Sequence, residues 1–214
     1  DGWDNSNMAM YSGDFETMGR VERLHWERAM QLKVKRVVMG ECGHAYRGAV
    51  YDGPRWLGWT KPPIPMVHAV EYYYELLKSG RLKIARKIEE PVTVQDPCNI
   101  VRGRGLHDKL RYVVNEICED FRDMTPRYEH NYCCQAGGGL INCGPPWKLS
   151  RMKSNKVKAE QIADTGAHTV ITPCHNCHSG IEDIIGHYKL GCHVSFISEL
   201  LVKTIEMPEA RGEE

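Results

Sequence analysis

The sequence lacks an excess of charge of either sign: 28 Lys and Arg stand against 28 Asp and Glu, and the formal net charge over 214 residues is zero. That balance argues against a protein that binds nucleic acid mainly by neutralising phosphates, and no polybasic patch for an anionic membrane is present. Long apolar runs are missing too. Hydrophobic residues make up 42% of the chain and no stretch of 18 occurs, so no direct membrane span and no signal peptide are expected. An initiator Met is absent, since the chain opens on Asp1, and the expectation is a piece of something longer. A ferredoxin-like run of Cys-x-x-Cys-x-x-Cys is absent as well. What the chain does have is nine cysteines, an odd number and clustered. Disulfide scaffolds are smaller and denser in cysteine, so metal or redox chemistry in a reducing compartment is the better reading.

Hydrophobic patterning predicts alternating strands and helices. A helix is expected over 15–33, then a buried strand over 34–39 that runs into the loop Gly40-Glu41-Cys42-Gly43-His44. Residues 52–65 (DGPRWLGWTKPPIP) read as an irregular excursion, and 66–78 as a helix stopped at Ser79-Gly80. A strand over 91–95 delivers Asp96-Pro97-Cys98, and an amphipathic helix follows over 106–121. After Cys133-Cys134 and the run Gly137, Gly138, Gly139 come a basic helix over 150–165 and a strand over 168–172. That strand delivers Cys174-His175-Asn176-Cys177; a helix over 181–189, a strand over 193–195 and a helix over 197–204 follow.

Short strands between longer helices predict an α/β fold: short parallel strands with helices on both faces. Sites in such sheets form beyond the carboxyl ends of the strands, and Cys42, Cys98 and Cys174 each fall just after one. The stretch 37–47 (VVMGECGHAYR) repeats in 169–179 (TVITPCHNCHS), except that the first copy has Ala45 where the second has Cys177. The expected organisation is two pseudo-repeated halves, a degenerate one over 1–90 and an intact one over 91–205, with a disordered tail over 206–214.

Between Cys98 and Cys133 lie 34 residues, and between Cys134 and Cys174 lie 39. Five thiolates would meet above one sheet rim. Cys-x-x-Cys across a helix start converges two sulfurs where the helix dipole favours thiolate. Vicinal cysteines diverge along extended backbone, so they suit two metals of one cluster better than one ion. Gly137, Gly138 and Gly139 leave room for backbone N–H groups to approach inorganic sulfide. Taken alone, Cys-x-x-Cys is equally a zinc half-site or a redox dithiol. Cys118 and Cys192 read as structural, and Cys143 as ambiguous. His44, His175 and His178 lie in the rim loops and are candidate proton donors, and Cys42 a candidate near-site thiol. Trp56 and Trp59 could line an approach, and Arg102, Arg104 and Lys109 could steer an anionic partner.

Asp96-Pro97-Cys98, Cys133-Cys134 with its Gly-rich tail, and Pro173-Cys174-His175-Asn176-Cys177 resemble the cysteine-rich CCG domain of heterodisulfide reductases. The segment 41–47 with its degenerate first repeat is most similar to the DsrK subunits of DsrMKJOP complexes in sulfur-metabolising prokaryotes. Two positions depart: Gln135 stands where a glycine usually follows the vicinal pair, and Gln95 where a histidine often precedes Asp-Pro-Cys. The resemblance implies a noncubane 4Fe-4S cluster on Cys98, Cys133, Cys134, Cys174 and Cys177, and cleavage or formation of a disulfide or trisulfide in sulfite or sulfate metabolism. It implies as partners a DsrC-like sulfur carrier with C-terminal cysteines and the other subunits of a membrane-bound electron-transfer complex, at the inner face of the cytoplasmic membrane. Two other readings stay open: an electron-relay subunit of a lactate, glycolate or glycerol-phosphate oxidation complex, and a zinc-stabilised interaction module.

Overall fold

The computed structural model describes residues 11–206; the tail expected over 206–214 therefore lies, but for Glu206, outside the described residues. Two parallel sheets carry the fold. In the first, β1 (Val37–Met39) pairs with β2 (Met66–His68), Val37 facing Met66. In the second, β4 (Thr169–Thr172) lies between β3 (Val92–Val94) and β5 (His193–Phe196), with Thr169 opposite both Val92 and His193. All of β3 and β4 is buried, as parallel strands covered on both faces must be, which is why they read as unbroken apolar and β-branched runs.

Helix α1 (Phe15–Gln31) starts at Asp14, whose carboxylate accepts from Thr17 N, and buries Met18, Glu22, Trp26 and Ala29 along one stripe. After β1 come a one-turn helix α2 (Gly43–Arg47), a π-turn (Gly48–Asp52) and a short α3 (Gly53–Trp56). The excursion expected to be wholly irregular thus contains one helical turn, admitted because Pro54 sits at a helix start, where no N–H is required. A second correction concerns 66–78. Met66–His68 is a strand, and α4 (Ala69–Lys78) begins only after it, with His68 as N-cap and Glu71 closing a capping box. Pairing with β1 buries Met66 and His68 and overrides the helical pattern.

Helix α5 (His107–Ile117) buries Leu110, Val113, Val114 and Ile117. It ends four residues before the expected 121, because Cys118 turns extended and bridges Ile88 while Phe121 bridges Val92. The basic stretch is two helices, α6 (Pro145–Ser154) and α7 (Lys156–Ala163), broken at Asn155. Helix α8 (His175–Tyr188) starts six residues before the expected 181, so the Cys-x-x-Cys motif lies on its first turn; α9 (Ile197–Thr204) closes the described chain. One apolar core gathers Trp26, Val94, Leu110, Ile117 and Leu200. A second holds Met124, Met152, Ile181 and Ile184, and Cys134, Cys174 and Cys177 belong to it. Among the described residues no helix is long and apolar enough to cross a membrane.

Candidate functional site

The carboxyl ends of β3 and β4 face the same way, and the loops leaving them carry Cys98 and Cys174. Gln95 N donates to Ile171 O at 2.9 Å, keeping the two strands in register up to the rim. Asp96 is then pinned: Arg111 forks onto its two oxygens at 2.6 and 2.8 Å, and Tyr128 N donates to it at 2.8 Å. Arg111 also bonds Asp123, so three segments are tied behind Cys98. Cys174 caps α8 from an extended conformation, at φ −155° and ψ 120°.

Cys133 and Cys134 arrive from the long connection after α5. Gln135 adopts φ 52°, the left-handed region that glycine occupies without strain, and its N–H turns back to Cys133 Sγ at 3.2 Å. Gly180 lets this loop approach α8: a Cβ there would stand 2.7 Å from Ala136 Cβ and 2.9 Å from Cys134 O. On the other side, Asn155 Nδ2, at the break between α6 and α7, donates to Cys134 O at 3.4 Å.

These supports bring all five sulfurs within interaction range. Cys134 and Cys177 hold their Sγ atoms 3.2 Å apart. Cys133, Cys134, Cys177 and Cys98 line one cleft with Asn131 and Tyr132. Cys174, Cys134 and Cys177 are buried, Cys98 is half-buried and Cys133 is exposed. Protons are shared unevenly. A hydrogen bond from Cys133, and a second with Cys177, hold Cys134 well below the usual thiol range; a hydrogen bond from Cys177 holds Cys174 low, aided by His44. Cys133 and Cys177 are pushed up as the donors in those pairs, and burial raises Cys98. The donor set is all sulfur, the soft kind that selects thiophilic metals and clusters.

Cys42 stands in the first sheet as Cys174 does in the second: it follows a strand and caps a helix from extended backbone, φ −144° and ψ 103°, accepting from Ala45 N at 3.4 Å. Its loop abuts the rim, since a Cβ on the neighbouring Gly43 would lie 3.9 Å from Cys174 Sγ. His44 is buried, and its Nδ1 is 2.8 Å from Asn176 Nδ2. With that amide donating, the ring proton sits on Nε2. Gly137 gives the ring its room, as a Cβ there would meet Nε2 at 2.8 Å. Gly138 and Gly139 take left-handed φ of 65° and 77° in the turn beyond. The backbone donors to the vicinal pair are Gln135 and Ala136, just ahead of the glycines, while Asn99 donates to Cys98, and Cys177 and Gly43 donate to Cys174.

His175 is exposed against Phe196, on which His178 stacks at 4.4 Å. Trp56 is partly exposed, edge-on to Phe15, and Trp59 packs against the first core. The basic trio is occupied within the chain: Arg102 donates to Asn131 O, Arg104 lies over Tyr51, and Lys109 bonds Glu71 at 3.0 Å. Cys118 is buried and pushed up to about 12 by burial. Cys192 is half-buried before β5, and Cys143 is exposed.

Sequence reasoning passed over two groups here. Tyr11 lies in the charge environment of Cys42 and Cys98 and close to the Gly138 backbone, its hydroxyl pushed up by burial. Lys158, on a helix read only as basic, is fully buried and close enough to Cys134 and Cys177 for their charges to act on it.

Comparison with known proteins gives relatives over most of the chain. It is 30% identical over 182 residues to a subunit of the dihydromethanophenazine:CoB–CoM heterodisulfide reductase of Methanosarcina mazei, covering 85% of this chain and 44% of that protein. It is 25% identical to the Hdr-like menaquinol oxidoreductase iron-sulfur subunit of Archaeoglobus profundus, covering 96% of this chain and 46% of the relative. The chain thus spans less than half the length of these curated relatives. A glutamate racemase structure from Francisella tularensis aligns over 96% of this chain and 80% of its own at 10% identity, with a TM-score of 0.34, a likeness too slight to fix a common fold. The family model of the CCG cysteine-rich domain, by contrast, matches the rim just described, over residues 92–182, from β3 through the first half of α8.

Proposed function

We propose that this CCG domain holds a four-iron cluster of the noncubane type through Cys98, Cys133, Cys134, Cys174 and Cys177, and that the chain is part of an iron–sulfur subunit that reduces, or in reverse forms, a disulfide or trisulfide. The observation that carries this is the gathering of cysteines from three separate loops: Cys98, Cys133, Cys134 and Cys177 line one cleft, Cys174 is hydrogen-bonded to Cys177 beside it, and the carboxylate there, Asp96, is committed to Arg111. A zinc module fits less well. Zinc needs about four donors converging on one point, and among the described residues no group of three His, Cys, Asp or Glu could hold a single ion. A cluster spreads its ligands over several metals, so it can use five thiolates where a single zinc would leave one over.

Such a cluster, when bound, supplies single electrons and a thiophilic surface for sulfur. The net reduction is RS–SR′ + 2 e⁻ + 2 H⁺ → RSH + R′SH, so two protons must reach the separating sulfurs. His44, hydrogen-bonded to Cys174 with Asn176 fixing the ring, is placed to pass a proton to the rim, and His175 stands at the exposed edge facing water. Cys42, whose loop touches the rim, is the thiol best placed to meet a substrate sulfur. Gly137 keeps the His44 pocket open and Gly138 and Gly139 turn the chain away from the rim. By resemblance to DsrK, the substrate is the cysteine-bearing tail of a DsrC-like sulfur carrier in sulfite or sulfate metabolism. Electrons come from a membrane-bound complex at the inner face of the cytoplasmic membrane. The heterodisulfide reductase and menaquinol oxidoreductase relatives support disulfide chemistry and a quinol-linked electron supply, while the sulfur-carrier substrate rests on the resemblance to DsrK.

The test is anaerobic purification with metal and sulfide analysis. The expected result is about four irons with matching sulfide per chain and, on oxidation with a thiol substrate, a paramagnetic signal that the thiol perturbs. Stoichiometric zinc in a colourless protein overturns the reading, and a cluster signal indifferent to thiols favours a relay role.

A further inference from the structure

Lys158 is among the largest side chains with no exposure to solvent. It projects from α7, whose other inward residues include Ala159 and Ile162. Every bond its Nζ makes is to a neutral group: Asn131 Oδ1 at 2.7 Å, Gln161 Oε1, and Met124 Sδ at 3.6 Å. The carboxylate whose charge acts on it, Asp96, is already committed to Arg111 and to Tyr128 N. A buried ammonium without a carboxylate partner is costly, and proteins ordinarily remove such groups or neutralise them. Burial indeed pulls Lys158 down to about 7, while the groups that act to keep it charged are Cys134, Cys177, Asp96 and Cys133, in that order. Three of those four are rim cysteines. Asn131, which holds the ammonium, lines the same cleft as Cys134 and Cys177, so the anion that matches this cation lies at the rim, where Cys134 is the thiol held low, together with whatever charge is added there.

We propose that Lys158 is a potential-setting residue: its buried ammonium, held on Asn131 and Gln161 beneath the rim, favours the reduced and more negative state of the group bound by the cysteines. The inference rests on the iron–sulfur reading above. Each reduction step adds one electron from a one-electron donor, with no bond to Lys158 made or broken, and a fixed positive charge lowers the energy of the product in a poorly screened interior.

Two substitutions separate charge from packing. Lys158→Met removes the ammonium and keeps an unbranched chain. Asn131→Asp leaves Lys158 in place and neutralises it. Asn131 Oδ1 already accepts from Nζ and its Nδ2 has no partner among the described residues, so the aspartate keeps the shape and the bond. Redox titration of the iron-loaded chain, followed by electron paramagnetic resonance, reads the result. Both variants should show the reduced-to-oxidised ratio at a fixed ambient potential falling at least tenfold, a drop of about 59 mV for one electron. Asn131→Asp, which pairs the buried cation, should also melt no lower than wild type. Asn131 lines the same cleft as the cysteines, so its new carboxylate also acts on the bound group directly; a purely structural Lys158 therefore predicts an unchanged potential in Lys158→Met. An unchanged potential in either loaded variant overturns the inference. So does a folded variant that takes up no iron, because Lys158 would then serve assembly, and so does an Asn131→Asp chain that melts well below wild type. Failure of the iron–sulfur reading is seen separately, as a wild-type chain that contains no iron.

Discussion

Cys134 and Cys177, 43 positions apart in the sequence, hold their Sγ atoms 3.2 Å from one another. The pairing comes from the backbone, since Gly180 on α8 carries the main chain of Cys134 against it. Replacing either cysteine by serine should therefore remove most of the bound iron without unfolding the chain. Cys118→Ser should do the opposite, keeping the iron while costing about 1–3 kcal/mol for a buried hydroxyl. Iron analysis beside urea unfolding checks the contrast, and full iron retention in both rim variants counts against the ligand assignment.

Gly180→Ala tests the contact itself. A Cβ 2.7 Å from Ala136 Cβ and 2.9 Å from Cys134 O must push the vicinal pair off the helix. Neither neighbour is the end of a flexible side chain. The expected loss is about 2–3 kcal/mol of stability, with iron content reduced at least by half. Alanine is otherwise the better helix former, so a variant as stable as wild type and fully loaded contradicts the packing described.

Gln135→Gly should be favourable. At φ 52° a side chain costs about 1–2 kcal/mol relative to glycine, and what the glutamine gains in return is an exposed bond from Ser154 Oγ at 3.0 Å. A rise of about 1 kcal/mol in unfolding free energy, with the cluster signal unchanged, is expected by denaturant titration. A fall would assign Gln135 a role in holding the rim.

His68 gives the fold an acid limit of its own. The ring is fully buried, accepts from Val70 N at Nδ1, and is pulled by burial from 6.5 down to about 4. The unfolded chain takes up this proton near pH 6.5, the folded chain only near 4. Stability from this group is thus complete above 6.5 and drains away as pH falls toward 4, by about 3 kcal/mol in all. His68→Asn keeps a good N-cap and has no proton to gain, so its stability should change less between about pH 7 and 5. Urea unfolding of both chains at the two pH values decides it; equal losses defeat the assignment.

The rim was legible where the sequence obeys a local rule. Strands β3 and β4 are short buried runs followed at once by Cys98 and Cys174, and their periodicity and their cysteines point to the same edge. Strand β2 was not legible, because three residues directly before a helix carry too little periodicity to separate from it, and only pairing with β1 makes them a strand. Lys158 was hidden for a different reason. The helices α6 and α7 bury Arg151, Lys158 and Gln161 beside Met152 and Ile162, and Asn155 at the break between them is buried too. A face that is polar and yet turned inward reads, by composition, as one that faces water.

The register of the second sheet also sets when the site can come into being. Val92 pairs with Thr169, and the sulfurs of Cys174 and Cys177 lie further along the chain than that contact. Pairing over so long a span is slow to nucleate, because a large loop must close before any contact rewards it. During synthesis, Cys98, Cys133 and Cys134 leave the ribosome with no rim to join. For the cluster proposed above, loading would be a late step, since two of its five ligands follow β4 and reach the rim only once that strand has paired with β3.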